Sequence, residues 1–294
     1  MMVKKGHVDV HKVHYEPPGG DAGGIEVLSL DQLRQRMQNQ TSTGQAQRLD
    51  FHQLLTVEHG MLRHMVDFTD YTATPGAWLW VRPGQVQQFR DLTTGSGWLV
   101  LFQPGVMDPA TSDQARLDDP FGRVQWDLAG DDVTSMEEAL HHLVHEYTAT
   151  GPLGASLRSR ILTHLLAVVM LRLTHQAAPV GSPAFVQNET FLRFRSAVEE
   201  RFARTRHVSD YARMLGYSPR TLTRATTSAA GMGAKEFIDR RVVLEARRLL
   251  VHGGDPVNRV ATRLGFDDAS NFVKYFTERA GVTPSAFRHQ FRGG

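Results

Sequence analysis

The chain has 294 residues, 41% of them hydrophobic and 22% charged, with a formal net charge of +2 and no cysteine. The missing cysteine excludes disulfides, thiolate zinc sites and cysteine nucleophiles. No stretch approaches the roughly 18 to 20 uninterrupted apolar residues of a membrane span, and the early lysines are followed by no apolar signal segment, so a cytoplasmic protein is expected. The small net charge hides an asymmetry. From Ala184 onward, 19 Lys and Arg face 11 Asp and Glu, against 14 and 20 in the remainder. That is the pattern of a polyanion-binding module joined to a part that need not touch nucleic acid.

Residues 1–24 contain Pro17-Pro18-Gly19-Gly20 and show no sustained periodicity, so they read as a flexible arm. Residues 48–107 alternate short apolar stretches with turns at Glu58-His59-Gly60, Pro75-Gly76, Pro83-Gly84, Thr94-Gly95-Ser96-Gly97 and Pro104-Gly105. This spacing predicts a β-barrel or sandwich, and a small barrel can hold one ligand. Trp78 and Trp80 share one face of a strand, with Leu79 and Val81 on the other. The expected ligand wall is Phe51, Phe68, Trp78, Trp80 and Trp98, with Phe102 a further candidate. The effector would be a small organic molecule in a mainly apolar pocket.

The period then changes. Thr134 or Ser135 can cap a helix over 135–147 with Glu137 and Glu138 in its first turn. A second helix follows over 155–176. Its Leu162, Leu166, Val169 and Leu173 form a heptad-like seam that Leu165 widens. A homodimer face there and packing on the barrel within one chain are both open. The first domain thus covers 25–176, and residues 177–188, which include Pro179 and Pro183, read as a linker.

From residue 189 onward everything reads as helix. After a first helix, Ser209 can cap a short one in which Ala212 permits close packing and Leu215 faces the core. Gly216 supplies the left-handed turn, Ser218 caps the next helix and Pro219 fills its first position. This is the helix-turn-helix pattern. It returns near 50 residues later, with Ala261 and Leu264 matching Ala212 and Leu215. A linker helix from Ala234 would hold the two units apart, so that two recognition helices enter successive major grooves. With Leu222 inward, Arg220, Thr223 and Arg224 share the outer face, beside Thr221. In the second helix Phe272 and Phe276 point inward, leaving Ala269, Ser270, Val273 and Lys274 outside and Asn271 at the edge. Arginine can bind guanine O6 and N7 together, and threonine can meet a thymine methyl. Arg263 and Arg288 read as phosphate contacts or structural pairs.

Residues 191–292 resemble the AraC/XylS family of transcription regulators. The resemblance is carried by Ser218-Pro219-Arg220-Thr221-Leu222-Thr223-Arg224, Gly231-Met232, Leu264-Gly265-Phe266, Ser270-Asn271-Phe272, Phe276 and Gly281-Val282-Thr283-Pro284-Ser285-Ala286-Phe287-Arg288. It implies an α+β chain: an N-terminal cupin-like barrel with a helical hairpin, then an all-α domain over 189–294. It also implies double-stranded DNA as partner, with contacts from Arg220, Thr221, Thr223, Arg224, Ala269, Ser270, Asn271 and Lys274, and it is compatible with an RNA polymerase contact. Two departures stand out. The family usually has a large aromatic at Thr226 and proline at Ala234, so the first unit is expected to have the thinner core.

A metal site in the barrel would draw on His52, Glu58, His59 and His64. Gln85, Gln87 and Gln88 stand where a later ligand would be wanted, which argues against a catalytic centre. His141 and His145 lie one helical turn apart without a carboxylate motif. No phosphate loop, nucleophile elbow or paired-carboxylate motif is present. The reading is therefore a regulator rather than an enzyme, with no cofactor or metal. A barrel serving only oligomerisation, and a cupin-type metal enzyme fused to a DNA-binding domain, are its alternatives.

Overall fold

The computed structural model describes residues 11–13, 23–38, 46–117, 119, 122–151, 153–175, 189–252 and 255–292. They fall into two compact units, one within Val10–Val180 and one within Gly181–Gly294. The expected linker at 177–188 lies outside the described residues.

The N-terminal unit holds β1 (His11–Val13), β2 (Ile25–Ser29), β3 (Gln47–Leu49), β4 (His52–His59), β5 (Leu62–Val66), β6 (Thr69–Ala73), β7 (Ala77–Val81), β8 (Val86–Asp91), β9 (Ser96–Phe102) and β10 (Gln125–Asp127). They form two five-stranded sheets in open order, β1-β3-β8-β5-β6 and β10-β7-β4-β9-β2. The barrel expected from the strand spacing is thus a pair of sheets, antiparallel except where β1 runs parallel to β3. His11–Val13 belongs to the stretch read as a flexible arm, yet it pairs with Gln47–Leu49. Two helices escaped the sequence reading, α1 (Leu30–Gln38) and the single-turn α2 (Pro109–Gln114). The second is short and polar, without the apolar period that reveals a helix; the first has Leu30, Leu33 and Met37 at helical spacing behind a Ser29–Gln32 capping pair, a short signal that the reading passed over.

The central strands are buried on both faces, and the alternation decides which side chain meets which layer. Leu55, Val57, Leu79 and Leu99 pack between the sheets with Leu62 and Ala73. Leu49, Phe51, Val66 and Val81 continue that core. Leu54, Trp78, Trp80, Val100 and Trp126 point the other way, against α3 (Asp131–Thr148) and α4 (Ala155–His175). The first helix of this hairpin begins four residues before the expected 135. Asp131 and Asp132 fill its first turn, where carboxylates favour the helix N-terminus, and Thr134 and Ser135 lie inside it.

The C-terminal unit is all helix: α5 (Glu189–Arg201), α6 (Val208–Leu215), α7 (Pro219–Ala230), α8 (Ala234–His252), α9 (Val257–Arg263), α10 (Ala269–Ala280) and α11 (Pro284–Arg292). The two short-helix pairs, α6–α7 and α9–α10, flank the linker helix α8 in sequence as expected. Thr226 is fully buried where an aromatic was expected. Its hydroxyl donates to the Leu222 carbonyl at 2.8 Å, so it leaves no orphaned polar group. The volume is made up from elsewhere. Phe194 meets Tyr211 edge-on at 5.6 Å and Phe237 at 5.9 Å, and Phe191 meets Phe237 at 5.5 Å. The first unit's core is therefore built by α5 and α8. The second carries its own aromatics, Phe266, Phe272, Tyr275, Phe276 and Phe287.

Candidate nucleic-acid interface

Both helix-turn-helix turns are built as their residues dictate. Gly216 ends α6 in the left-handed region at φ 73°. Leu215 is only half-buried there, whereas its counterpart Leu264 is buried. Ser218 has an extended backbone, and its hydroxyl accepts the Thr221 amide at 3.0 Å, with Pro219 at the first helical position. In the second turn Gly265 has φ 71°, and a Cβ there would collide with the Ala203 carbonyl. Only glycine satisfies both demands. Asp268, not singled out from the sequence, caps α10 by accepting the Asn271 amide at 2.7 Å.

The two recognition helices present what their periodicity promised, with two exceptions. On α7, Leu222, Ala225 and Thr226 are buried, while Arg220, Thr223 and Arg224 are exposed. Arg220 and Arg224 make no ion pair or hydrogen bond among the described residues. On α10, Phe272 and Phe276 are buried, Ala269 and Val273 half-buried, and Ser270, Asn271 and Lys274 exposed. The exceptions are Thr221 and Asn271. Thr221 Oγ1 lies 2.8 Å from the capping Ser218 hydroxyl, and Asn271 Nδ2 donates to Asp268 at 2.6 Å. Each is first a capping partner, and meeting a base would require it to exchange that bond.

The scaffold behind these helices is held by arginines. Arg206 donates to the Leu264 and Gly265 carbonyls at 3.0 and 3.1 Å and stacks on Phe266 at 3.9 Å. It thereby pins the second turn to the segment before α6. Arg241, buried, donates to both Glu199 oxygens at 2.9 Å, reaches Glu245 at 3.3 Å and lies over Phe202. Arg263 pairs with Asp255 at 2.8 Å. Arg288 donates to the Leu250 carbonyl at 2.9 Å and to that of Asp255 at 2.5 Å. Both are structural in this fold. Asp239 accepts from Tyr275 at 2.6 Å and pairs with Arg279 at 3.0 Å and with Lys235, tying α8 to α10. Burial alone would raise the Asp239 pKa, but the hydrogen bonds from Lys235, Tyr275 and Arg279 outweigh it and hold the pKa low. Burial, reinforced by that carboxylate, pushes the Tyr275 hydroxyl up. Sequence reasoning missed the ties made by Arg206, the Arg241–Glu199 pair and the Asp239–Tyr275 and Asp239–Arg279 contacts, because they join residues 36 to 59 positions apart with no local signature.

In the N-terminal unit the expected ligand wall is mostly elsewhere. Phe51 does lie between the sheets. Trp78 and Trp80 face the helical hairpin instead. Trp98 packs on that same side and donates to Glu58 at 2.9 Å. Phe68 sits in the β5–β6 turn at φ 73°. The reason is the second layer. A strand buried on both faces gives no clue to which face meets a helix, so the alternation was right and its direction reversed. The heptad seam is likewise occupied within the chain. Leu162, Leu166, Val169 and Leu173 are fully buried, and Leu165 is half-buried against the same cluster. Each buried leucine is worth about 1.5 to 3 kcal/mol to the fold, so this seam is not free for a second copy.

The histidines also separate. His52 accepts from Trp80 Nε1 at 3.2 Å and stacks on Phe102 at 4.5 Å. His64 is on the other sheet, His59 is exposed, and His141 lies 3.1 Å from Glu58. His145 is exposed on α3. Among the described residues no three such groups come together for a metal. Burial pushes both the His52 and His64 imidazoles down to about 3. His64 is fully buried beside Phe89, and neither ring nitrogen has a partner.

A model of the helix-turn-helix domain matches residues 211–290. The relatives found include the transcriptional activator RhaR of Cronobacter sakazakii, 21% identical, covering 82% of this chain and 86% of that protein. RhaS of Pectobacterium carotovorum is 22% identical with the same coverage. Among solved structures, ToxT of Vibrio cholerae aligns over 92% of this chain and 98% of that one, at 11% identity and a TM-score of 0.41.

Proposed function

We propose that this chain, whose C-terminal unit is an AraC-type helix-turn-helix domain, is a sequence-specific DNA-binding transcription regulator and not an enzyme. The observation that carries this is the pair of capped recognition helices over buried apolar faces, with unpaired Arg220 and Arg224 on the first and Lys274 on the second. The contacts assigned to them are Arg220, Thr223 and Arg224 on α7 and Ser270 and Lys274 on α10, with Ala269 beside them. No helix among the described residues is long and apolar enough to cross a membrane, and cytoplasmic residence is part of the same reading. Selection of duplexes from a random library by the full-length protein tests it. An enriched motif spanning two successive major grooves supports it, and no enrichment refutes it.

The effector belongs between the two sheets. Three buried side chains there leave hydrogen-bonding atoms unmet: Gln53 Nε2, both nitrogens of His64, and Gln87 Oε1. Gln53 alternates with Leu55 and Val57 onto the inner face, and His64 lies between Leu62 and Val66. Gln87 is opposite Val66 and donates to Gln47 at 2.9 Å. A neutral imidazole offers one donor and one acceptor, so the unmet set mixes both and carries no charge. It suits a small uncharged molecule bearing hydroxyl or amide groups. Thermal-shift screening of neutral polyols and amides checks this. A stabiliser whose effect disappears in His64→Leu supports the site, and the absence of any favours a sheet pair that serves only assembly.

Dimerisation is part of the proposal, but on another stripe of α4. Leu157 and Val168 are exposed, at 49% and 44%, and Ile161 is half-buried beside them. They sit at heptad-like spacing on the face away from the sheet. A weaker dimer in Val168→Asp supports it, and an unchanged one refutes it.

A further inference from the structure

The two helix-turn-helix units differ in how much positive charge they leave unspent. Residues 207–232 hold three arginines, Arg213, Arg220 and Arg224, against one acid, Asp210. Residues 255–281 hold four basic residues against four acidic ones. Pairing sharpens the contrast. In the second unit Arg263 is 2.8 Å from Asp255 and Arg279 is bound to Asp239 and Glu278, while Arg259 makes a long, exposed contact with Asp255 at 3.7 Å. Lys274 is its one cation without an ion pair among the described residues. Two further acids, Asp267 and Asp268, stand exposed at the start of its recognition helix. In the first unit Arg213 makes only a long, exposed contact with Asp210 at 3.7 Å, and Arg220 and Arg224 make none.

Phosphate neutralisation supplies most sequence-independent affinity and all of its steep salt dependence. We infer that the α6–α7 unit carries the ionic part of DNA binding, while α10 reads its half of the operator through the neutral Ser270 and Val273 with Lys274 as a lone anchor. This rests on the DNA-binding reading above. Asp267 then acts as a specificity residue. Its carboxylate disfavours an adjacent phosphate and holds non-specific affinity down, so the second half-site is engaged only where the bases fit.

The test uses the full-length protein, a random-sequence duplex and a duplex enriched by selection, with anisotropy titrations from about 50 to about 300 mM KCl. Arg220→Gln with Arg224→Gln should weaken binding to the random duplex by roughly 30-fold or more and flatten the slope of log K against log salt by about 2. Lys274→Gln should cost under roughly 10-fold and flatten it by about 1 or less. Asp267→Asn, which leaves the Asp268 cap intact, should strengthen random-duplex binding about threefold and lower the ratio of selected to random affinity. Unchanged thermal unfolding of each variant keeps folding out of the comparison. Equal losses and equal slope changes from the two units would overturn the asymmetry while leaving DNA binding intact. Asp267→Asn without effect on random-duplex affinity would overturn the role given to that residue. Failure to enrich any duplex would instead remove the DNA-binding reading, and this inference with it.

Discussion

Acidification should loosen the N-terminal unit through its buried histidines, and His64 gives the cleanest test. Its pKa is about 3 in the fold against 6.5 ordinarily, so between those values the unfolded chain binds a proton that the folded one does not. Stability is therefore fully present above about pH 6.5 and is lost as pH falls. Between about pH 7.5 and about pH 5 the loss from one such histidine is about 2 kcal/mol. His52, with the same displacement, adds a similar amount. All four tryptophans lie within Val10–Val180, at positions 78, 80, 98 and 126, so urea unfolding followed by tryptophan fluorescence reports this unit alone. The wild type should lose about 2 kcal/mol more than His64→Leu over that interval. An equal loss in both proteins would mean that His64 is not held neutral between the sheets, and the reasoning about that site would fail.

Arg224→Ala should cost about 1 to 3 kcal/mol on the selected duplex and relax preference at one base position, beside the flatter salt slope that follows from losing its charge; an unchanged base preference would confine it to phosphate contact. Arg206→Ala should destabilise the C-terminal unit by about 2 kcal/mol, because two carbonyls lose a charged donor, and hydrogen exchange should rise first around Gly265 and the start of α10. Asp268→Ala should cost about 1 kcal/mol of helix stability, measured by calorimetry, and unchanged unfolding would contradict the cap. Since the Asp239 pKa is depressed below 3.8, its stabilising contribution is present above that value and lost as pH falls through the lowered one. Tyr275→Phe should shrink this acid-limb loss in the C-terminal unit, monitored by circular dichroism.

The helical half was the more legible in the sequence, because its signals are local. A glycine after a short amphipathic helix, then a capping serine and a proline, specify a turn within ten residues. The inward and outward faces of α7 follow from Leu222 alone. What escaped notice there was non-local: the Arg206 clasp, the pairing of buried Arg241 with half-buried Glu199, and the phenylalanines of α5 that compensate for Thr226. Asp268 was hidden beside Asp267, since two adjacent aspartates give no indication of which one caps. In the sheet unit the alternation of Trp78 and Trp80 was readable but its direction was not. Both faces of that strand are apolar, and only the position of the hairpin tells them apart. For the same reason the α4 seam had two readings, and its burial is a packing fact that periodicity does not contain. His64 stood out in the sequence only as a metal candidate, a role its place in the fold does not support. Its interest comes entirely from two ring nitrogens that the fold buries without partners.

The central claim is tested most directly by presenting the purified full-length protein with random duplex DNA and sequencing what it retains. The account predicts an enriched motif with two parts about one helical turn apart, of which the part protected by α7 loses its preference in Arg220→Gln with Arg224→Gln. Retained DNA indistinguishable from the input library would contradict it.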